Sequence, residues 1–375
     1  MPSEHLSGRY RRTMAALAWG VGLCALVGLA AWVWSAALPT DGVQTSEPPT
    51  QFASFGPLLE GERLLHWTVG KHAVSLEKRR EFDVPTGPEA LVTLPDGCIL
   101  ITCRAAQVVA ILDPERGRLV QQIPVEGQPL ACCLTRDGTR AWVTLEDRRR
   151  VAVLDLETMK RVAESETGDG PEAIATDIEG RVVAIANWVS QDLTLIDGPR
   201  AEPLGLVPLP ANPRGAVVHP SKPFATVALT GSDRLLKVNW EKRRVEDELV
   251  VGRGPRHLVQ TSDGDTLFVA LNDPPTVAKV DRLGGRVRST CFLTKGRAGT
   301  ILLGPNERDL FVANSAGSAV TVVDTATMSE TATVDTDLSP DGLALSADGR
   351  RLYVAHRTTS AVYEFAVTYD WPPTP

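Results

Sequence analysis

Five charged side chains stand at one recurring place in this sequence: Glu89, Glu172, Arg214, Arg256 and Asp341 each follow a proline that returns along the chain. A guanidinium so placed suits an anion, because its fork of N–H donors matches a carboxylate or phosphate. Carboxylates suit cations, and Glu89, Glu172 and Asp341 would offer oxygen ligands to a hard ion such as Ca²⁺ if they converged, with Arg214 and Arg256 as competing partners. One position further on, His257 interrupts a column otherwise made of Ala90, Ala131, Ala173, Gly215, Gly299 and Gly342. An imidazole there either fills a local gap among crowded strands or projects as a ligand contact or proton carrier.

A second group lies in the loops after the second strand of each repeat: Arg104, Glu146, Asn187, Trp188, Asn272, Asp273, Ser315, His356 and Arg357. These are either solvated loop residues or, with Asn187, Trp188, His356 and Arg357 foremost, part of one binding face. An indole at such a rim would stack on a ring or sugar. The sequence has no GxSxG, HExxH, phosphate-binding glycine loop, CxxCH or paired histidines at metal-ligand spacing. No cofactor is therefore expected. Cys98, Cys103, Cys132, Cys133 and Cys291 read as buried thiols, with one disulfide in the first two repeats as the alternative.

The elements that hold these residues repeat at a fixed interval. The proline or its stand-in falls at Pro88, Pro129, Pro171, Pro213, Pro255, Arg297 and Pro340, in steps of 41 to 43 residues. Eight residues later comes a turn signal, Asp-Gly at Asp96, Asp137, Asp263 and Asp348 and Glu-Gly at Glu179. Each unit supplies four short strands, as in GTILL, RDLFVAN, AVTVVDTA and ETATVD of the sixth. Four strands in so short a unit make a propeller blade, and blades are stable only in a closed ring. The last unit has three clear strands, so residues 80–84 (REFDV) are expected to supply its fourth. The prediction is an all-β, seven-bladed propeller with four-stranded blades over residues 80–367. Residues 58–79 are lead-in strands, or part of an eighth blade in the alternative, and residues 368–375 are a tail.

The sixth unit, FVANSAGSAVTVVDTATMSETATV, and the seventh, SPDGLALSADGRRLYVAH, resemble the YVTN-type repeat of extracytoplasmic bacterial propellers, a relative of lactonase-like and WD40-like propellers. The resemblance covers roughly residues 80–367 and implies the fold, not an activity. The family's asparagine is Asn314 here and recurs only as Asn187, with Cys103, Leu145, Leu229, Leu271 and His356 in the same slot elsewhere.

Alternation along the first strand then orients the columns. The third column, Leu91, Cys132, Ile174, Ala216, Leu258, Thr300 and Leu343, is mostly apolar and should pack between blades. The charged column should face the central mouth, acidic on blades 1, 3 and 7 and basic on blades 4 and 5.

Residues 13–38 are an uncharged apolar run preceded by the basic segment 1–12 and followed by Asp41 and Glu47. About 24 apolar residues in a helix rise roughly 36 Å, enough to span a bilayer, and the charge bias places the N-terminus in the cytoplasm. The expectation is a signal-anchor in a bacterial cytoplasmic membrane, with a Pro- and Ser-rich linker over 39–57 and the propeller outside; secretion after signal cleavage is the alternative. A net charge of −7 argues against nucleic acid as a partner. The leading functional expectation is a monomeric binding or scaffold module that takes a protein, peptide or envelope ligand at its mouth. The alternatives are a lactonase-like hydrolase using His257, Arg214 and Arg256, and an accessory subunit of a periplasmic electron-transfer enzyme.

Overall fold

The second and third strands of each repeat are buried almost end to end, as in Ile99–Cys103, Val182–Asn187 and Ala319–Asp324. Unbroken apolar runs are what a strand needs when both faces of its sheet are covered. The fourth strands alternate instead, Lys160–Glu166 and Arg286–Phe292 pairing exposed with half-buried positions, because they form the outer rim. The computed structural model describes residues 73–369, and in them every strand belongs to one of seven four-stranded antiparallel sheets. Six sheets are simple meanders. The seventh joins Pro340–Leu345, Arg351–His356 and Ala361–Tyr369 to Val74–Asp83 from the other end of the described chain.

That last pairing sets Phe82 opposite Val362 and Val74 opposite Tyr369. The strand therefore starts at Val74: residues 74–79, read as lead-in, belong to the closing strand, and its partner runs two residues past 367. The segments 1–12, 13–38 and 39–57, residues 58–72 of the lead-in and residues 370–375 of the tail lie outside the described residues, and with them the apolar span and any eighth blade. Among the described residues no helix is long and apolar enough to cross a membrane.

Closure of the ring is visible in the core. Seven apolar clusters occupy the seven junctions between successive blades. The cluster between the last and first blades packs Leu91, Ile99 and Ile101 of blade 1 against Phe82, Ala344, Tyr353 and Val362 of blade 7, so blade 7 meets blade 1 as any other pair meets.

Turn chemistry keeps the repeats in step. Gly97, Gly138, Gly180, Gly264 and Gly349 all adopt positive φ, and the aspartates before Gly138 and Gly349 accept the amides of Thr139 and Arg350 at 3.1 and 3.0 Å. The acid or amide ending each third strand closes the next turn: Asp113, Asp155, Asp197, Asn239 and Asp281 each accept the backbone N–H three residues on. All five cysteines among the described residues are free, so the alternative of a disulfide in the first two blades does not hold.

Candidate functional site

The innermost strand of every blade carries one register irregularity at the same place, for example between Pro88 and Leu91, Pro213 and Gly215, and Pro340 and Leu343. A bulge re-aims the residues it contains. Here it turns the residue after the proline toward the axis while the third residue stays between blades, where Leu91, Ile174, Ala216, Leu258 and Leu343 are buried as expected.

Glu89, Glu172, Arg214, Arg256 and Asp341 accordingly converge on one axial cavity of about 380 Å³, lined also by Arg104, Glu146, His257, Thr300 and Arg357. Crowding explains the small-residue column. A Cβ on Gly215 would lie 2.3 Å from the carbonyl oxygen of Arg256, and one on Gly342 would lie 2.3 Å from that of Glu89. Gly299 is roomier, with its nearest atoms 3.4 Å away, because its register places it one column earlier, facing the axis, and His257 of the neighbouring blade meets blade 6 at Ile301. Its Nδ1 accepts a 3.4 Å hydrogen bond from the Ile301 amide, so the imidazole fills the blade 5 to blade 6 gap while also bordering the cavity. Burial, and then the adjacent Arg256 charge, push its pKa down to about 4. It is a neutral ring at physiological pH, with one nitrogen already engaged.

The expected division into acidic and basic sides is modified by the loops. Buried Glu89 lies 3.3 Å from Arg357 and 3.8 Å from Arg104, and Arg104 in turn pairs with Glu146 and donates to Gln128 at 3.2 Å. Asp341 accepts from the Thr300 hydroxyl at 3.4 Å. Burial first, and Asp341 second, raise the Glu89 carboxyl to about 7 against the opposing pull of Arg357. The acidic wall is thus largely neutralised. On the other wall Glu172 sits 2.9 Å from Arg214 Nε, a close ion pair without hydrogen-bond alignment, and the Arg214 guanidinium lies 5.0 Å from the centre of the Trp188 ring. Arg256 has no carboxylate within ion-pair distance among the described residues.

Three expected site residues, Asn187, His356 and Trp188, do not line the cavity. Asn187 is fully buried inside blade 3, where its Nδ2 donates to Asp192 at 2.6 Å and Thr194 at 2.7 Å. His356 occupies the same slot in blade 7, fully buried, with its ring 4.1 Å from that of Tyr363. The slot ends a strand covered on both faces, so its side chain points into the hairpin. Asn314 does the same, donating to Thr321 at 2.7 Å. Trp188 is half-buried and stands behind Arg214 instead of lining the cavity. Nor do Glu89, Glu172 and Asp341 form a cation site: Glu172 is turned to Arg214, and no group of three or more His, Cys, Asp or Glu among the described residues is arranged to hold a metal. In blade 6 the columns sit one residue later than the spacing predicts: Ala298 pairs with Asn314 as Pro88 pairs with Cys103, so Ala298 and not Arg297 takes the proline's place, Gly299 faces the axis, Thr300 stands in the small-residue column beside the cavity, and buried Ile301 packs between blades.

Fold and cavity together define the class: a seven-bladed β-propeller with a charged axial mouth. Among solved structures, a chain of Kuenenia stuttgartiensis Hydrazine Synthase is similar, with a TM-score of 0.66 at 21% identity over 78% of this chain and 97% of that one. At that identity the likeness is one of fold. No protein-family model matches the chain, and no curated protein sequence does.

Proposed function

We propose that this chain is a non-catalytic binding module of the YVTN-repeat kind, a monomeric propeller held outside a bacterial cytoplasmic membrane by residues 13–38. Its mouth takes a protein, peptide or envelope ligand. One observation supports this above the rest: charged side chains from six different blades line a single cavity. Structural needs alone do not require charges at an axis, since apolar or small residues fill such positions equally well.

The hydrolase alternative asks His257 to carry a proton beside Arg214 and Arg256. A ring whose pKa is pushed to about 4, and whose Nδ1 already accepts the Ile301 amide, is a weak base for that task. Binding is therefore the favoured reading. Affinity capture of partners with the full chain tests it, comparing wild type with Glu172→Ala, Arg256→Ala and His257→Ala combined. Loss of the captured partners is expected; retention of all of them would place the binding face elsewhere. Carbonate-resistant membrane association of the intact chain, lost on deleting residues 13–38, is the matching test of the anchor.

A further inference from the structure

Each other guanidinium that lines the mouth has a carboxylate beside it: Arg104 has Glu146, Arg214 has Glu172 and Arg357 has Glu89. Arg256 alone lines the cavity without one among the described residues. Its surroundings deepen that imbalance, because burial and the nearby charges of Arg214 and Arg297 all work against its positive form, with Asp341 and Glu172 compensating only from a distance. A guanidinium keeps its proton under such pressure. What remains is a half-buried cation facing an open cavity, with N–H donors aimed at no anion of the chain.

We infer that the wall of the mouth built by blades 4 and 5 binds a carboxylate group, with Arg256 as the principal contact and Arg214 beside it. The inference rests on the mouth being the binding site and goes further by naming the chemistry it selects. Three features favour a carboxylate over a more highly charged anion. A guanidinium fork matches two coplanar oxygens. Asp341, which lines the same cavity and is held by the Thr300 hydroxyl with no ion pair among the described residues, would oppose a second or third negative charge. A cavity of about 380 Å³ admits a small organic acid or the last residue of a chain, not a folded surface. Trp188 contributes from behind, since its ring under the Arg214 guanidinium limits where that side chain can swing.

The carboxylate belongs either to a free acid or to the terminus of a peptide, and one set of titrations separates them. Calorimetric titration of the full chain with succinate, its monomethyl ester and its dimethyl ester tests the free acid. Trialanine and its C-terminal amide test the peptide source. Binding by the monomethyl ester, which carries a single carboxylate, lost in the dimethyl ester, or binding by the free peptide, lost on amidation, supports the assignment and identifies the source. Arg256→Ala should weaken that binding at least tenfold, and Arg256→Lys should retain part of it. Equal binding of the dimethyl and monomethyl esters, undiminished binding in Arg256→Ala, or no binding by any of the acids would overturn it. The ester comparison uses wild-type chain and stands even if Arg256→Ala fails to fold. If no acid binds while partner capture still depends on the mouth, only the carboxylate assignment is lost. If acids bind through Arg256 but capture ignores the triple substitution, the partner-binding reading fails instead.

Discussion

Arg80 and Glu364 lie 284 residues apart in sequence and clasp each other in space, Nε to Oε1 at 3.1 Å and Nη2 to Oε2 at 2.6 Å. The clasp joins the first described strand to the last, across the seam that closes the ring. Glu364 is buried, whereas the Arg80 side chain is about one-third exposed (36%), so the carboxylate depends on its partner more than the reverse.

Arg80→Ala should therefore destabilise the propeller by about 2 kcal/mol, less than the full cost of stranding one member of a wholly buried pair. Chemical unfolding measures this as a shift in midpoint. Glu364→Gln should cost less, because it leaves no uncompensated charge inside.

Glycine substitutions should separate crowded from roomy positions at the axis. Gly215→Ala and Gly342→Ala each push a Cβ to within 2.3 Å of a backbone oxygen in the next blade, and should cost about 1–3 kcal/mol. Gly299→Ala meets nothing closer than 3.4 Å and should shift the unfolding midpoint little.

The repeat made most of this fold legible. The proline interval, the Asp-Gly turns and the alternation along each inner strand led to the number of blades, the seam and the direction of the charged column. What stayed hidden depended on atoms outside the column. Nothing in the spacing of Arg104 or Arg357 said that they reach back to neutralise Glu89. Asn187 and His356 were misplaced for a related reason: a polar residue ending a strand looks like a loop residue, and only the partner seven positions on, Thr194 or Tyr363, shows that it faces the hairpin.

Acid should weaken the protein through its histidines. His219, His257 and His356 all have pKa values pushed down to about 4, chiefly by burial. A depressed histidine supports stability fully above its unfolded value near 6.5, and that support is lost as pH falls toward 4. Stability measured across this window should decline. His356→Asn, which installs the residue found at Asn187 and Asn314, should make the decline shallower.

Glu89 should act with the opposite sign. It faces Asp341, Arg357 and Arg104, and its carboxyl is raised to about 7. Its contribution is fully present below its unfolded value near 4.5 and is lost as pH rises through 7. Glu89→Gln should flatten that part of the stability profile and leave the variant more stable than wild type at pH 8, as denaturant titrations at pH 5 and pH 8 would record.

The irregularity that follows each inner-strand proline separates two kinds of obligation within three residues. The second and third positions answer to the packing of neighbouring blades, whereas the first answers to the charges gathered at the axis. That position already reads Glu, Leu, Arg, Gly and Asp in different blades of this one chain, six times directly after a proline, while the sheets around it keep the same four-stranded form.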